Sequence, residues 1–179
     1  MIAATGTGLL PMRVGKVVGL KEGDEFFEWV VLDQIDGNEH LVIHIGSAEA
    51  FALAASLSGT EFGRPMTYQF TIALVRSLGG RVRAVRLDRV VDGAYAATVE
   101  AEGSRGVVGV DARCSDALNL AVLAGAPVFV APEVLADCTA RQEGDSAEAA
   151  LLRRALAAGP MTAGRPRAGR ADQPPPAPG

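Results

Sequence analysis

Histidine is nearly absent: His40 and His44 are the only two among 179 residues, so a His-rich metal centre or a catalytic histidine has almost no other source. They lie four apart in a strand-like stretch, on one face by parity, and read as partly exposed strand residues. Cysteine is equally scarce, and Cys114 and Cys138 have neither a framework nor a metal-ligand spacing, which reads as two reduced thiols. Aromatic residues make up 5% of the chain, and Phe26, Phe27 and Trp29 fall in one segment, so no base-stacking platform stands out. No apolar run approaches the roughly 20 residues of a membrane-spanning helix. The opening MIAATGTGLLPMR lacks a basic n-region and a long apolar stretch, so no membrane association is expected and a cytoplasmic location is. Excess positive charge is also missing: 17 Lys+Arg stand against 21 Asp+Glu, a net charge of −4 that argues against tight nonspecific DNA binding.

What is present suffices for one domain. Hydrophobic residues make up 49% of the chain, enough for a core without disulfide or metal staples. The composition divides it into a flexible leader (1–11), a patterned domain (12–138), a linker with an amphipathic helix (139–158) and a tail (159–179). That tail, rich in Pro, Gly and Arg, cannot bury enough apolar surface to offset ordering entropy, so disorder is expected there. Its arginines, Arg165, Arg167 and Arg170, read as solvated linker charges.

Within the domain, Asp36-Gly37 separates EFFEWVVLDQI from NEHLVIHI, and Asp92-Gly93 separates RVRAVRLDRVV from AYAATVEAE. Asp-Gly between β-branched and aromatic runs signals a hairpin, because Gly accepts the positive φ of a tight turn. Glu102-Gly103 marks a third turn. Helical periodicity appears in SAEAFALAASLSG, with Ser47 as cap; in TYQFTIALVRSLGG, with Thr67 as cap and Phe70, Leu74 and Leu78 facing inward; and in SDALNLAVLAGAP, with Ser115 as cap. DSAEAALLRRALAAG adds a terminal amphipathic helix whose Asp145 and Glu148 suggest a capping box. The expected fold is α+β, antiparallel hairpins forming a sheet packed with about three helices, plus a C-terminal helix. Apolar edge strands in such a sheet predict a homodimer.

Three segments place charge where strands pass into helices: Ile45–Ala50, Arg64–Tyr68 and Asp111–Ala117. Free backbone N–H groups at helix N-termini can bind an anion. Glu49 and Asp116 in first turns also complement the helix macrodipole, so the same charges could serve architecture alone.

Taken in this order, HLVIHIGSAEAFALA, GRPMTYQFTIALVRSLGG and VDARCSDALNLAVLAGAPVFVAPEVL resemble the bifunctional nuclease domain family, over roughly Met12 to Cys138. The chain keeps that family's Gly46, Glu49, Ala50, Arg64, Pro65, Thr67, Asp111, Arg113, Ser115, Asp116 and Ala117. It departs at Tyr68, where the family has His, and at Cys114, where it has Pro. The resemblance implies a compact α+β domain that hydrolyses phosphodiester bonds of DNA and RNA. Tyr68, with an ordinary pKa of about 10, would be a poor general base in place of His.

Phosphodiester cleavage needs charge neutralisation and an activated water. Glu49, Asp111 and Asp116 are the candidate Mg²⁺ or Mn²⁺ ligands, since hard oxygen donors suit those ions. Arg64 and Arg113 are the candidate phosphate holders, with Ser115 adding a hydroxyl or N–H contact. Arg81, Arg83 and Arg86, with Arg76 and Arg89, form a basic stretch that could face nucleic acid, though charge protecting an edge strand is a competing explanation. Two readings of function follow. One is a metal-assisted nuclease of low sequence specificity; the alternative is a noncatalytic interaction or regulatory module in which the charges pin helices. A third is an anion binder using the same helix starts. Geometry separates them: a catalytic site requires Glu49, Asp111 and Asp116 around one accessible point with Arg64 or Arg113 beside it.

Overall fold

The computed structural model describes residues 8–161; the first seven residues of the expected leader and residues 162–179 of the expected tail, with its three arginines, lie outside the described residues. In chain order the elements are β1 (Leu10–Glu22), β2 (Glu25–Gln34), β3 (His40–Ile45), α1 (Ser47–Leu57), α2 (Thr67–Ser77), β4 (Arg81–Val91), β5 (Ala94–Gly103), β6 (Gly106–Arg113), α3 (Cys114–Ala124), β7 (Val128–Val130), α4 (Pro132–Glu143) and α5 (Ala147–Ala157). The expected α+β class holds, with five helices rather than four among the described residues.

The strands form one mixed sheet in the order β3-β2-β1-β7-β4-β5-β6. The hairpins arise where the turn chemistry places them. Asp92 and Gly93 both have positive φ, 49° and 78°, as a two-residue primed turn requires, and join β4 to β5. Asp36 also has positive φ, but the β2–β3 connection is longer, with Gln34 N donating to Glu39 O across it. The third turn falls at Ser104-Arg105, with Gly103 paired to Gly106.

The shortest strand joins the hairpins. β7 pairs antiparallel with β1 (Leu10↔Val130, Met12↔Val128) and parallel with β4 (Val85↔Val128, Leu87↔Val130). This pairing draws Leu10 and Pro11, expected in the leader, into β1. Met12, Val85, Leu87, Val128 and Val130 are all buried along this seam.

The sheet also curls. Neighbouring strands lie about 4.8 Å apart, so the first and seventh strands of a flat sheet would be about 29 Å apart. Yet Arg113, the last residue of the edge strand β6, contacts Glu49, in the first turn of the helix that follows the other edge strand, β3, at 2.7 Å.

Several details of the sequence reading change. Gly46, Met66 and Arg113 occupy the N-cap positions, while Ser47, Thr67 and Ser115 lie inside the first turns of α1, α2 and α3. The cap of α5 is the Ser146 hydroxyl, accepting from Ala149 N at 3.1 Å, rather than an Asp145–Glu148 box. On α2 the expected inward stripe faces solvent: Phe70, Leu74 and Leu78 are exposed and Ile72 is the buried residue, because α2 meets the body of the protein along a narrow side. The expected linker beginning at residue 139 is the second half of α4, and the packed region extends past Gly159, since Met161 N donates to Val17 O at 2.7 Å.

Lys16 fastens the C-terminal helix. Its ammonium donates to Leu156 O at 2.7 Å and Ala158 O at 2.6 Å, satisfying carbonyls that a helix C-terminus leaves open. Lys16→Met leaves those acceptors without their charged donor and is expected to lower the unfolding free energy by about 1–3 kcal/mol in urea titrations, with amide exchange in α5 accelerating first.

Candidate active site

Curling of the sheet brings the starts of α1, α2 and α3 to one place. Arg113, at the N-cap of α3, donates from Nε to Asp116 Oδ2 at 2.7 Å and from Nη2 to Asp116 Oδ1 at 3.0 Å. The same Nη2 reaches Glu49 Oε1 at 2.7 Å. Tyr68, in the first turn of α2, donates its hydroxyl to Asp116 Oδ1 at 2.6 Å. Each expected segment thus contributes: Glu49 from the first, Tyr68 from the second, and Arg113 with Asp116 from the third.

The acids are partly shielded and the base is open. Side-chain exposure is 17% for Glu49 and 30% for Asp116, against 69% for Arg113. Arg113 is held along its Nε/Nη2 edge, while Nη1 makes no hydrogen bond among the described residues. The Arg113 guanidinium, aided by the Tyr68 hydroxyl, holds the Asp116 carboxyl below the usual carboxylate range against the opposing effect of burial. Burial and the hydrogen bond to Asp116 raise the Tyr68 phenol well above its ordinary value, so Tyr68 stays protonated and acts as a donor. The two bound carboxylates likewise raise Arg113 further into its charged range.

Small and buried residues support this arrangement. A Cβ at Gly46 would run into Glu49 Oε2, so the N-cap glycine leaves room for the carboxylate to turn back over the helix start. Asn119, fully buried, donates from Nδ2 to Glu49 O at 3.2 Å and Ser115 O at 3.0 Å, tying α1 to α3. The sequence reading passed over Asn119, although an amide inside the apolar run DALNLAV was the available signal. Ser115 lies in the same turn, 9% exposed.

Other expected residues lie elsewhere. Asp111 is on β6, exposed, and contacts Arg89 Nη2 at 3.2 Å rather than Arg113. Among the described residues no group of three or more His, Cys, Asp or Glu side chains comes together, so the three-carboxylate metal set reduces to Glu49 and Asp116. Arg64 is exposed on the approach to α2 and forms no ion pair among the described residues. The basic stretch is largely neutralised: Arg81 pairs with Glu102 at 2.7 Å and Arg86 with Glu100 at 2.9 Å. Arg83 and Arg76 are without ion pairs among the described residues and line, with Arg81, a separate cleft of about 460 Å³. β4 is also an interior strand, so edge protection does not explain its arginines.

The histidines do not join this cluster. His40 Nδ1 lies 3.0 Å from Asp33 Oδ1, and His44 rests against Trp29. Both cysteines are free and buried. Burial pushes the Cys114 thiol up to about 12, and Cys114 donates to Tyr95 O, so it is not a reactive thiolate.

Two carboxylates against one guanidinium leave the cluster one negative charge in excess. Both Asp116 oxygens and Glu49 Oε1 already accept hydrogen bonds from Arg113 or Tyr68, which leaves Glu49 Oε2 as the carboxylate oxygen of the cluster without a hydrogen bond among the described residues.

Asp116 also gives the fold a pH dependence. Its pKa is lower folded than unfolded, so its contribution to stability is full above the ordinary carboxylate value and is lost as pH falls through the depressed one. Asp116→Asn is expected to flatten this part of the acid-unfolding profile, below about pH 4. An unchanged slope in urea midpoints measured from pH 5 downwards would count against a charge-bonded Asp116.

Comparison with known proteins agrees with this framework. The family model described as bifunctional nuclease domain matches residues 30–143. Two proteins of Mycobacterium tuberculosis, uncharacterized protein Rv1829 of strain H37Rv and uncharacterized protein MT1877 of strain CDC 1551, are each 31% identical over 122 residues, covering 68% of this chain and 73% of theirs. With the family match spanning most of the described residues, the chain belongs to the bifunctional nuclease domain family.

Proposed function

We propose that the protein is a nuclease that hydrolyses phosphodiester bonds of DNA and RNA with low sequence specificity, at the cluster formed by Glu49, Tyr68, Arg113 and Asp116. The observation that carries this reading is the state of Arg113: an exposed guanidinium fixed along one edge by Asp116, touched by Glu49, and with Nη1 free of hydrogen bonds among the described residues. A phosphate oxygen at Nη1 would meet a donor already oriented, so little ordering entropy remains to be lost on binding. As negative charge grows on the phosphoryl oxygens, that donor stabilises it more than it stabilises the ground state.

Each neighbour has a separable task. Asp116, kept ionised, orients Arg113. Tyr68 stays protonated and therefore does not take a proton from water; its hydroxyl steadies Asp116. Glu49 and Asp116 would hold Mg²⁺ or Mn²⁺ with the substrate phosphate, and the ion would supply charge neutralisation and a more acidic water. Arg64, on the nearby helix approach, would add a second phosphate contact, and Asp111, paired with Arg89, is assigned no part in the reaction.

A noncatalytic module with this fold is favoured by one observation: two of Arg113's three nitrogens are already used in ion pairs. Cleavage decides between the readings. Purified protein is expected to cut labelled single-stranded RNA or DNA with Mg²⁺ or Mn²⁺ and not with EDTA, and Arg113→Ala is expected to slow this by about 100-fold or more. Asp116→Asn should act similarly, with circular dichroism verifying both folds. Equal cleavage by wild type and variants would remove the site from this cluster, and cleavage by none would favour the noncatalytic module.

A further inference from the structure

A second feature opens beside Arg113. A cleft of about 660 Å³ lies between the converging edges of the sheet and α5, with Phe27, Trp29, His44, Tyr95, Arg113 and Arg141 in its walls. The aromatic residues come from three strands: Phe27 and Trp29 from β2, His44 from β3 and Tyr95 from β5. Trp29 and His44 are directly paired across β2 and β3, with ring centroids 5.0 Å apart, and Phe27 lies 5.8 Å from the same imidazole. On the opposite wall, Tyr95 lies under Arg141, whose guanidinium carbon is 5.5 Å from the ring centroid.

The walls include core residues, Trp29 among them, but His44 is exposed and Phe27 and Tyr95 are half-buried, so these rings face the cleft. Trp29 is 6% exposed, yet its Nε1 is buried without a hydrogen-bond partner. His44, exposed, makes no hydrogen bond or ion pair among the described residues. An apolar, aromatic-lined space of this size with a few polar groups and a guanidinium at its side has the character of a small-molecule subsite.

We propose that this cleft receives a single unstacked nucleobase next to the phosphate held by Arg113; the inference rests on the nuclease reading and specifies its substrate as single-stranded nucleic acid. A base presents a π face that stacks on aromatic rings with little regard to sequence, which agrees with low specificity. A base paired within a duplex cannot enter until it leaves its stack, and that step costs a few kcal/mol. Single strands are free of this cost. Continuity with Arg113 identifies the occupant: a base flanking a phosphate is attached to it, so the same ligand spans both features.

Trp29 is the sole tryptophan of the chain, so its fluorescence reports on this cleft alone. The test titrates the full chain with a cleavage-resistant phosphorothioate hexathymidylate in Mg²⁺, beside the matching abasic sugar-phosphate strand and a duplex of the same length. Saturable quenching is expected with the single strand, with much weaker binding of the abasic strand and the duplex. His44→Ala, a change at an exposed position, is expected to weaken single-strand binding by about 5- to 150-fold. Equal binding of the abasic strand, or unchanged affinity in His44→Ala, overturns the base subsite; if Arg113→Ala still weakens binding in that case, the phosphate site survives without it. Absence of binding by any strand overturns both readings.

Discussion

The guanidinium of Arg113 meets carboxylates that begin two different helices, and most of the architecture serves to make that meeting possible. Glu49 stands in the first turn of α1 and Asp116 in the first turn of α3, each near the positive end of its helix dipole. Two negative side chains at two helix starts leave a place between them for one cation. Arg113 fills it from the end of β6, which requires the two edges of a seven-strand sheet to curl together. The same guanidinium that pins the helices keeps one nitrogen out of those bonds. The edge of the guanidinium that locks the helices is Nε/Nη2, and Nη1 makes no hydrogen bond among the described residues.

Smaller residues permit this geometry. Gly46 leaves space for the Glu49 carboxylate, and Asn119 ties the backbone of α1 to that of α3 from within the core. Tyr68, where the motif resemblance leads one to expect histidine, brings in α2 through its bond to Asp116. The substitution exchanges a group that can take up a proton near neutral pH for one that here remains a donor.

Errors in the sequence reading have physical causes. Phe70, Leu74 and Leu78 share a helical stripe, and periodicity assigns such a stripe to a core; the body of the protein covers only the side of α2 that carries Ile72. Asp111 precedes Arg113 by two residues, and strand parity gives both the same face, but the fold supplies Arg89 from β4 as its nearer partner. β7 consists of three residues, too few for alternation to show, although it joins the two hairpin systems. The aromatic cleft escaped notice because Trp29, His44 and Tyr95 are distant in sequence.

Local chemistry was legible in the chain itself: Asp-Gly at the hairpins, 3.6-residue periodicity in the helices, Glu49 and Asp116 at helix starts, and the motif order that marks the family. These depend on φ preferences, side-chain period and charge within a few residues, which neighbouring positions determine. Only the tertiary structure decided which charges meet. Sheet curl, strand order and the covered side of each helix result from packing the whole core at once, so they brought Glu49 and Asp116 to Arg113, left Asp111 outside, and placed an aromatic cleft beside them.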